Sequence, residues 1–174
     1  MKKLLVVVDY QNDFVDGALG FDGAEALDPI IAEKIARYRE NGDRVVFTFD
    51  THADDYLETQ EGKKLPIAHC IRGGEGWELF GETAKAKGDD LSFEKEGFGS
   101  AALFDWLREN PFESIELCGL VLNICVISNA VLAKTAQPEA EIIVDARACA
   151  SADKDIAEKT LDVLSGIQVT VLNR

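Results

Sequence analysis

Three reactive side chains of this 174-residue chain each fall where an apolar run gives out: Asp9 after LLVVVD, Lys95 after LSFEK, and Cys125 just beyond SIELCGLVLNIC. If those runs are strands of an open parallel sheet, their C-terminal ends share one edge, where such sheets build their sites. A carboxylate, an ammonium and a thiol gathered there make a cysteine nucleophile with its own base, which is the equipment of acyl transfer. Taken singly, each residue has an ordinary alternative. Asp9 can cap a loop by accepting from backbone N–H groups, and the nearby Asp13 reads better still as a turn former. Lys95 lies between glutamates and can be a solvated cation. Cys125 can be a small core residue, a reading that suits Cys118 and Cys149 better. In its favour, Cys125 stands near the start of a helical segment, where unpaired N–H groups and the macrodipole favour thiolate.

A second group is Asp50, His52 and His69, which includes both histidines of the chain. Asp-x-His follows the apolar run VVFTF, and His69 returns near the end of a long polar stretch. Imidazole and carboxylate together suit zinc, manganese or iron. The alternative is a turn-forming aspartate beside hydrogen-bonded histidines. Glu61 is a candidate further ligand, with plain surface charge as its other reading.

These residues need elements to hold them. Apolar, β-branched runs predict strands near Lys3–Val8, Asp43–Phe49, Asp90–Phe93, Ser114–Cys118, Glu141–Val144 and Gln168–Leu172. Several are apolar on both faces, as in a parallel sheet covered by helices. Helical patterns fall between them. Over Pro29–Glu40, Ile31, Ile35 and Tyr38 share one face. Ser100 is placed to cap a helix running to Glu109, and Ser151 or Asp153 one that ends at Gly166. Asn123–Ala136 is apolar nearly all round, predicting a buried helix stopped before Pro138. The alternation predicts one three-layer α/β/α domain over residues 1–174, with a six-stranded parallel sheet and right-handed crossovers. The exception is the stretch from Thr51 to Gly88, too long for a plain connection and therefore a candidate functional loop.

Composition narrows the partners. The chain carries 18 basic and 32 acidic residues, a net charge of −14. That field disfavours nucleic acid and anionic membranes, and no apolar run reaches the roughly 20 residues a transmembrane helix needs. LLVVV is short and ends in Asp9 without a cleavage site, so no signal peptide is expected. The four cysteines, Cys70, Cys118, Cys125 and Cys149, show no C-x-x-C spacing and read as free thiols of a cytoplasmic protein.

In order along the chain, VVVDYQNDF, TFDTH with LPIAHC, EKEGFGSA, GLVLNICVISNA and DARACAS resemble the isochorismatase-like cysteine hydrolases, and among them the nicotinamidases. The resemblance implies an Asp9–Lys95–Cys125 triad, a metal on Asp50, His52 and His69, and a structural turn at DARACAS. It also implies a cis peptide between Leu120 and Val121, with the Val121 and Cys125 N–H groups as oxyanion hole. Phe14 and Trp77 would pack on a flat substrate ring, or else simply pack in the protein. Three positions depart from the family pattern: Leu65 where an aromatic residue is common, His69 one residue further from Pro66, and Asn123 where aspartate is common. The activity implied is hydrolysis of a small amide through a thioester, with nicotinamide as first candidate and zinc as first metal, ahead of manganese or iron. A carbamoyl amide or ureide is the alternative substrate. A vinyl-ether hydrolase of the isochorismatase type and a non-catalytic binding protein are the remaining readings. A homodimer or homotetramer is expected.

Overall fold

Runs of leucine and valine become the strands of a single sheet. The computed structural model describes residues 2–174. In chain order the strands and α-helices are β1 (Lys3–Val8), α1 (Asn12–Val15), α2 (Asp28–Glu40), β2 (Arg44–Asp50), α3 (Gln60–Lys64), α4 (Gly81–Lys87), β3 (Leu91–Lys95), α5 (Ala101–Glu109), β4 (Ser114–Gly119), α6 (Ile127–Ala136), β5 (Glu141–Cys149), α7 (Lys154–Gly166) and β6 (Thr170–Leu172). The strands lie in the order β3-β2-β1-β4-β5-β6, and every pair is parallel. β1 is central, and Leu4 through Val8 are each fully buried. A strand covered on both faces has no use for polar alternation, which is why LLVVV is continuously apolar.

After β3 the chain crosses back and restarts on the other side of β1. The gap between β1 and β4 is therefore the point where the winding reverses, and a crevice opens at the strand C-termini. With right-handed crossovers, helices of the β1-β2-β3 half and of the β4-β5-β6 half cover opposite faces. α2 packs against α4 on one side, and α5 against α6 on the other. Gly119 closes β4 against β1: its φ is +112°, and a Cβ there would run into the Val8 carbonyl oxygen. Only glycine meets both demands.

Capping follows the sequence. Ser100 Oγ accepts from the Leu103 N–H at 3.1 Å. Asp153 Oδ1 accepts from the N–H groups of Asp155 and Ile156, whereas Ser151 donates to Asn123 instead. Three expectations need correcting. The DARAC residues are not a turn but the second half of β5, reached through a register irregularity between Leu117 and Gly119. The expected helix from Asn123 begins as a wide π-type turn over Leu122–Val126, and regular α6 starts only at Ile127. α6 is also only partly buried: Val131 is 43% exposed. Apolarity all round predicted burial, but a sheet-covering helix needs only one buried stripe, here Asn129, Ala130 and Ala133. Among the described residues no helix is long and apolar enough to cross a membrane.

Candidate active site

β1 ends with an abrupt change of direction. Asp9 has φ +43°, a left-handed conformation that aspartate tolerates better than most residues. The turn directs its carboxylate across the sheet edge toward β2 and β3. Thr48 Oγ1 donates to Asp9 Oδ1 at 2.6 Å. Asp9 Oδ2 makes an ion pair with Lys95 Nζ at 2.7 Å. Lys95 is the last residue of β3, paired with Asp50 at the end of β2. Its ammonium donates to the Gly97 carbonyl at 2.9 Å and to Asp50 Oδ1 at 3.2 Å, and lies 3.6 Å from Cys125 Sγ. The three residues proposed for chemistry come from three distant segments and meet at one point. All are buried, Asp9 completely.

The charges follow from that burial. Desolvation raises the Asp9 pKa above its ordinary value; the Lys95 cation opposes this and Asp50 adds to it. For Lys95, burial favours the neutral amine, but the charges of Asp9, Cys125 and Asp50 outweigh it and hold the ammonium. The Cys125 thiol is pushed well above its ordinary pKa by burial first, then by Asp9, against the pull of Lys95. The lowering expected near a helix N-terminus is opposed here by burial, Cys125 being 4% exposed within the turn over Leu122–Val126. Burial thus works against both the Asp9 carboxylate and the Cys125 thiolate, and the Lys95 ammonium between them favours each.

The second group assembles a few ångströms away. Asp50 Oδ2 is 3.1 Å from His52 Nε2 and 3.3 Å from His69 Nε2. The three ligand atoms lie within 4.8 Å of one another, and all three residues are buried. His69 Nδ1 donates to the Ile67 carbonyl at 2.8 Å, so that Nε2, the nitrogen turned toward Asp50, is the one available to a metal. Two imidazole nitrogens and one carboxylate converging in a buried pocket fit a borderline divalent cation such as zinc, iron or manganese. Glu61, on α3, has its Oε1 3.8 Å from His69 Nε2 and 4.0 Å from His52 Nε2, at the margin of the cluster. Tyr56 stacks edge-on against both imidazoles, and Phe14 against His69. Asp50 belongs to both groups, with one oxygen on the ammonium and the other on the imidazoles.

A cavity of about 650 Å³ opens in front of them. Its wall includes Cys125, Val121, Asp50, His69, Glu61, Phe14 and Leu65. The Leu120–Val121 peptide is cis. Trp77 is not on this wall: its indole packs on Phe49 at 5.2 Å and donates to Thr51 Oγ1 at 2.9 Å. Of its two readings, ring platform or plain packing, this placement matches packing, since the Glu75–Trp77 turn folds back on the end of β2. Asn123 does line the cavity, with its Oδ1 accepting from Ser151 Oγ at 2.6 Å. Sequence reasoning missed Phe21, Phe98, Ile124 and Ile156, which complete the apolar wall. It also missed Thr48, although that residue is the polar interruption in the run VVFTF and pairs with Val8, next to Asp9.

A sequence profile of the isochorismatase domain matches residues 3–174. The nicotinamidase/pyrazinamidase of Bacillus subtilis is 31% identical and superposes with a TM-score of 0.89 over 99% of this chain and 100% of that one. The nicotinamidase/pyrazinamidase of Mycobacterium tuberculosis is 26% identical over 171 residues, covering 89% of this chain and 91% of its own. The pyrazinamidase of Pyrococcus horikoshii, solved in complex with zinc, agrees in fold: 23% identity and a TM-score of 0.87 over 100% of each chain.

Proposed function

This chain belongs to the isochorismatase family, and from that premise we propose that it is a single-domain, cysteine-dependent amidohydrolase whose first substrate candidate is nicotinamide. One observation carries the reading: Lys95 Nζ stands 2.7 Å from Asp9 and 3.6 Å from Cys125 Sγ, with Cys125 on the wall of an apolar cavity. A binding protein has no need of a thiol paired with a buried base. The similarity to nicotinamidases of two bacteria supports the amide as the bond cleaved.

In the proposed reaction Asp9 takes the Cys125 proton as sulfur bonds to the amide carbon. The carbonyl π electrons move to oxygen, which the Val121 and Cys125 N–H groups receive, a contribution of about 3–4 kcal/mol per donor in comparable sites. Asp9 then gives its proton to the nitrogen, the C–N bond breaks, and ammonia leaves a thioester on Cys125. Water, deprotonated by Asp9, attacks that thioester, and the acid departs as the thiol is restored. Lys95 stays protonated and offsets the negative charge that passes between carboxylate and sulfur. Asp50, His52 and His69, with Glu61 beside them, would hold the divalent cation, zinc first. A bound cation supplies a Lewis-acid contact that orients a ring nitrogen or a water. Phe14 and Leu65 would flank the ring.

The test is ammonia release from nicotinamide by metal-loaded protein, with nicotinate identified as co-product. Stoichiometric ammonia and nicotinate support the reading. A folded, zinc-loaded protein that releases ammonia only from carbamoyl amides or ureides would move the substrate while keeping the site. Release from no amide would reject it.

A further inference from the structure

The turn that frees Asp9 leaves a gap in the sheet. β1 and β2 pair up to Val8 opposite Thr48, and the last ladder bond runs from the Asp9 N–H to the Thr48 carbonyl at 3.2 Å. The next β1 residue in that register would be Tyr10, opposite Asp50. Because the chain has swung away at Asp9, no β1 peptide is there. In a parallel ladder the N–H and C=O of one residue point to the same neighbour. Asp50 therefore presents both groups toward a strand that has ended, at a buried position where unpaired backbone groups are costly.

The Gln11 side chain fills that place. Its Oε1 accepts from the Asp50 N–H at 2.8 Å, and its Nε2 donates to the Asp50 carbonyl at 2.8 Å. The second Nε2 proton goes to the Trp77 carbonyl at 2.9 Å. A carboxamide is a peptide group in miniature, and here it makes the pair of bonds that the absent β1 residue would have made. Two carbonyl partners and one N–H partner also leave a single orientation for the amide. Gln11 is fully buried and is absent from the cavity wall. Its effect must pass through Asp50, whose carboxylate is shared between Lys95 and the two imidazoles.

We infer that Gln11 is a positioning residue: its carboxamide stands in for the missing β1 peptide opposite Asp50 and so sets the carboxylate that joins the metal site to Lys95. The inference rests on Asp50 being a metal ligand, as in the reading above. It predicts that the amide bonds act on metal binding, beyond any effect on folding. Partners that orient a metal ligand commonly change affinity by about 10–100-fold.

The experiment measures zinc affinity by competition with a chromophoric chelator, alongside thermal unfolding of the metal-free protein. The variants are Gln11→Met, which keeps length and loses all three bonds, and Gln11→Glu, which keeps only the acceptor. Asn12→Ala is the control, since Asn12 holds the same loop through the Glu75 carbonyl at 2.7 Å without touching Asp50. The expected result is zinc binding weakened about tenfold or more in both Gln11 variants and changed less than about twofold in the control. Folded Gln11 variants with native zinc affinity overturn the inference, as does an equal loss in the control. If neither Gln11 variant folds while Asn12→Ala does, the residue is structural and the positioning role is rejected. Absence of zinc binding in the unsubstituted protein would instead reject the metal-site reading.

Discussion

At the scale of single residues, the proposed reaction needs a thiol whose burial works against ionisation and a carboxylate placed to overcome it. Cys125→Ala removes the nucleophile but only a sulfur's worth of packing, so it should lower ammonia release by about a thousandfold or more while the protein stays folded. Retained turnover would contradict the mechanism. Asp9→Asn is a sharper probe, because asparagine tolerates the left-handed backbone that Asp9 adopts. It removes the charge alone. Activity should fall by about two to four orders of magnitude, and the flat response of a merely structural carboxylate would show instead as unchanged kcat with lowered Tm. That Asp9, Lys95 and Cys125 would meet at one sheet edge was legible in the sequence, because each ends a strand or follows one closely. Trp77 kept two readings in the sequence, because an aromatic side chain in a long loop is as easily a brace as a ring platform. The contacts of Gln11 and Thr48 with Asp50 and Asp9 were invisible there, since they depend on which strand lies opposite.

At the scale of elements, most strands were readable to within a residue or two, the inner ones because buried parallel strands write uninterrupted apolar runs. The extension of β5 through Cys149 was not, because Asp145 and Arg147 break the apolar run there. Asp145 belongs instead to a buried ionic cluster between α2 and the sheet. Lys34 Nζ lies 2.6 Å from both Glu116 Oε1 and Asp145 Oδ2, and Tyr38 donates to Glu116 Oε2 at 2.7 Å. Lys34→Ala would leave two carboxylates buried without their cation and should cost about 3–5 kcal/mol by urea unfolding. The cluster also sets a pH dependence. Burial alone would raise the Asp145 carboxyl, but hydrogen bonds from Lys34 and Asn173 outweigh it and hold its pKa below the usual range. A depressed carboxyl stabilises above its unfolded pKa of about 3.9, and that contribution is lost as pH falls through the lower folded value. Stability should therefore decline below about pH 4, and less steeply in Asp145→Asn. Identical slopes for the two proteins would remove Asp145 from the explanation.

At the scale of the whole molecule, the winding order puts β1 and β4 side by side at the reversal point, and the site follows from that topology. The α/β class was legible from alternation; the sharing of Asp50 between two sites was not, because spacing along the chain does not say which oxygen faces which neighbour. Metal removal tests that sharing globally. Chelation should suppress amide hydrolysis and lower Tm by on the order of 5–10 °C relative to protein held at a hundredfold excess of zinc over Kd. Re-addition of zinc should restore both, and an unchanged Tm would argue that Asp50, His52 and His69 hold no ion. Light scattering reads the expected homodimer or homotetramer, which a monomeric mass would contradict. Partitioning with hydroxylamine reads out the covalent thioester on Cys125. Nicotinamide and methyl nicotinate differ in leaving group but would give the same acyl group on Cys125. A thioester common to both substrates gives one ratio of hydroxamate to nicotinate, with both products lost in Cys125→Ala. Hydrolysis that proceeds with no hydroxamate, or with a ratio that depends on the leaving group, would contradict it.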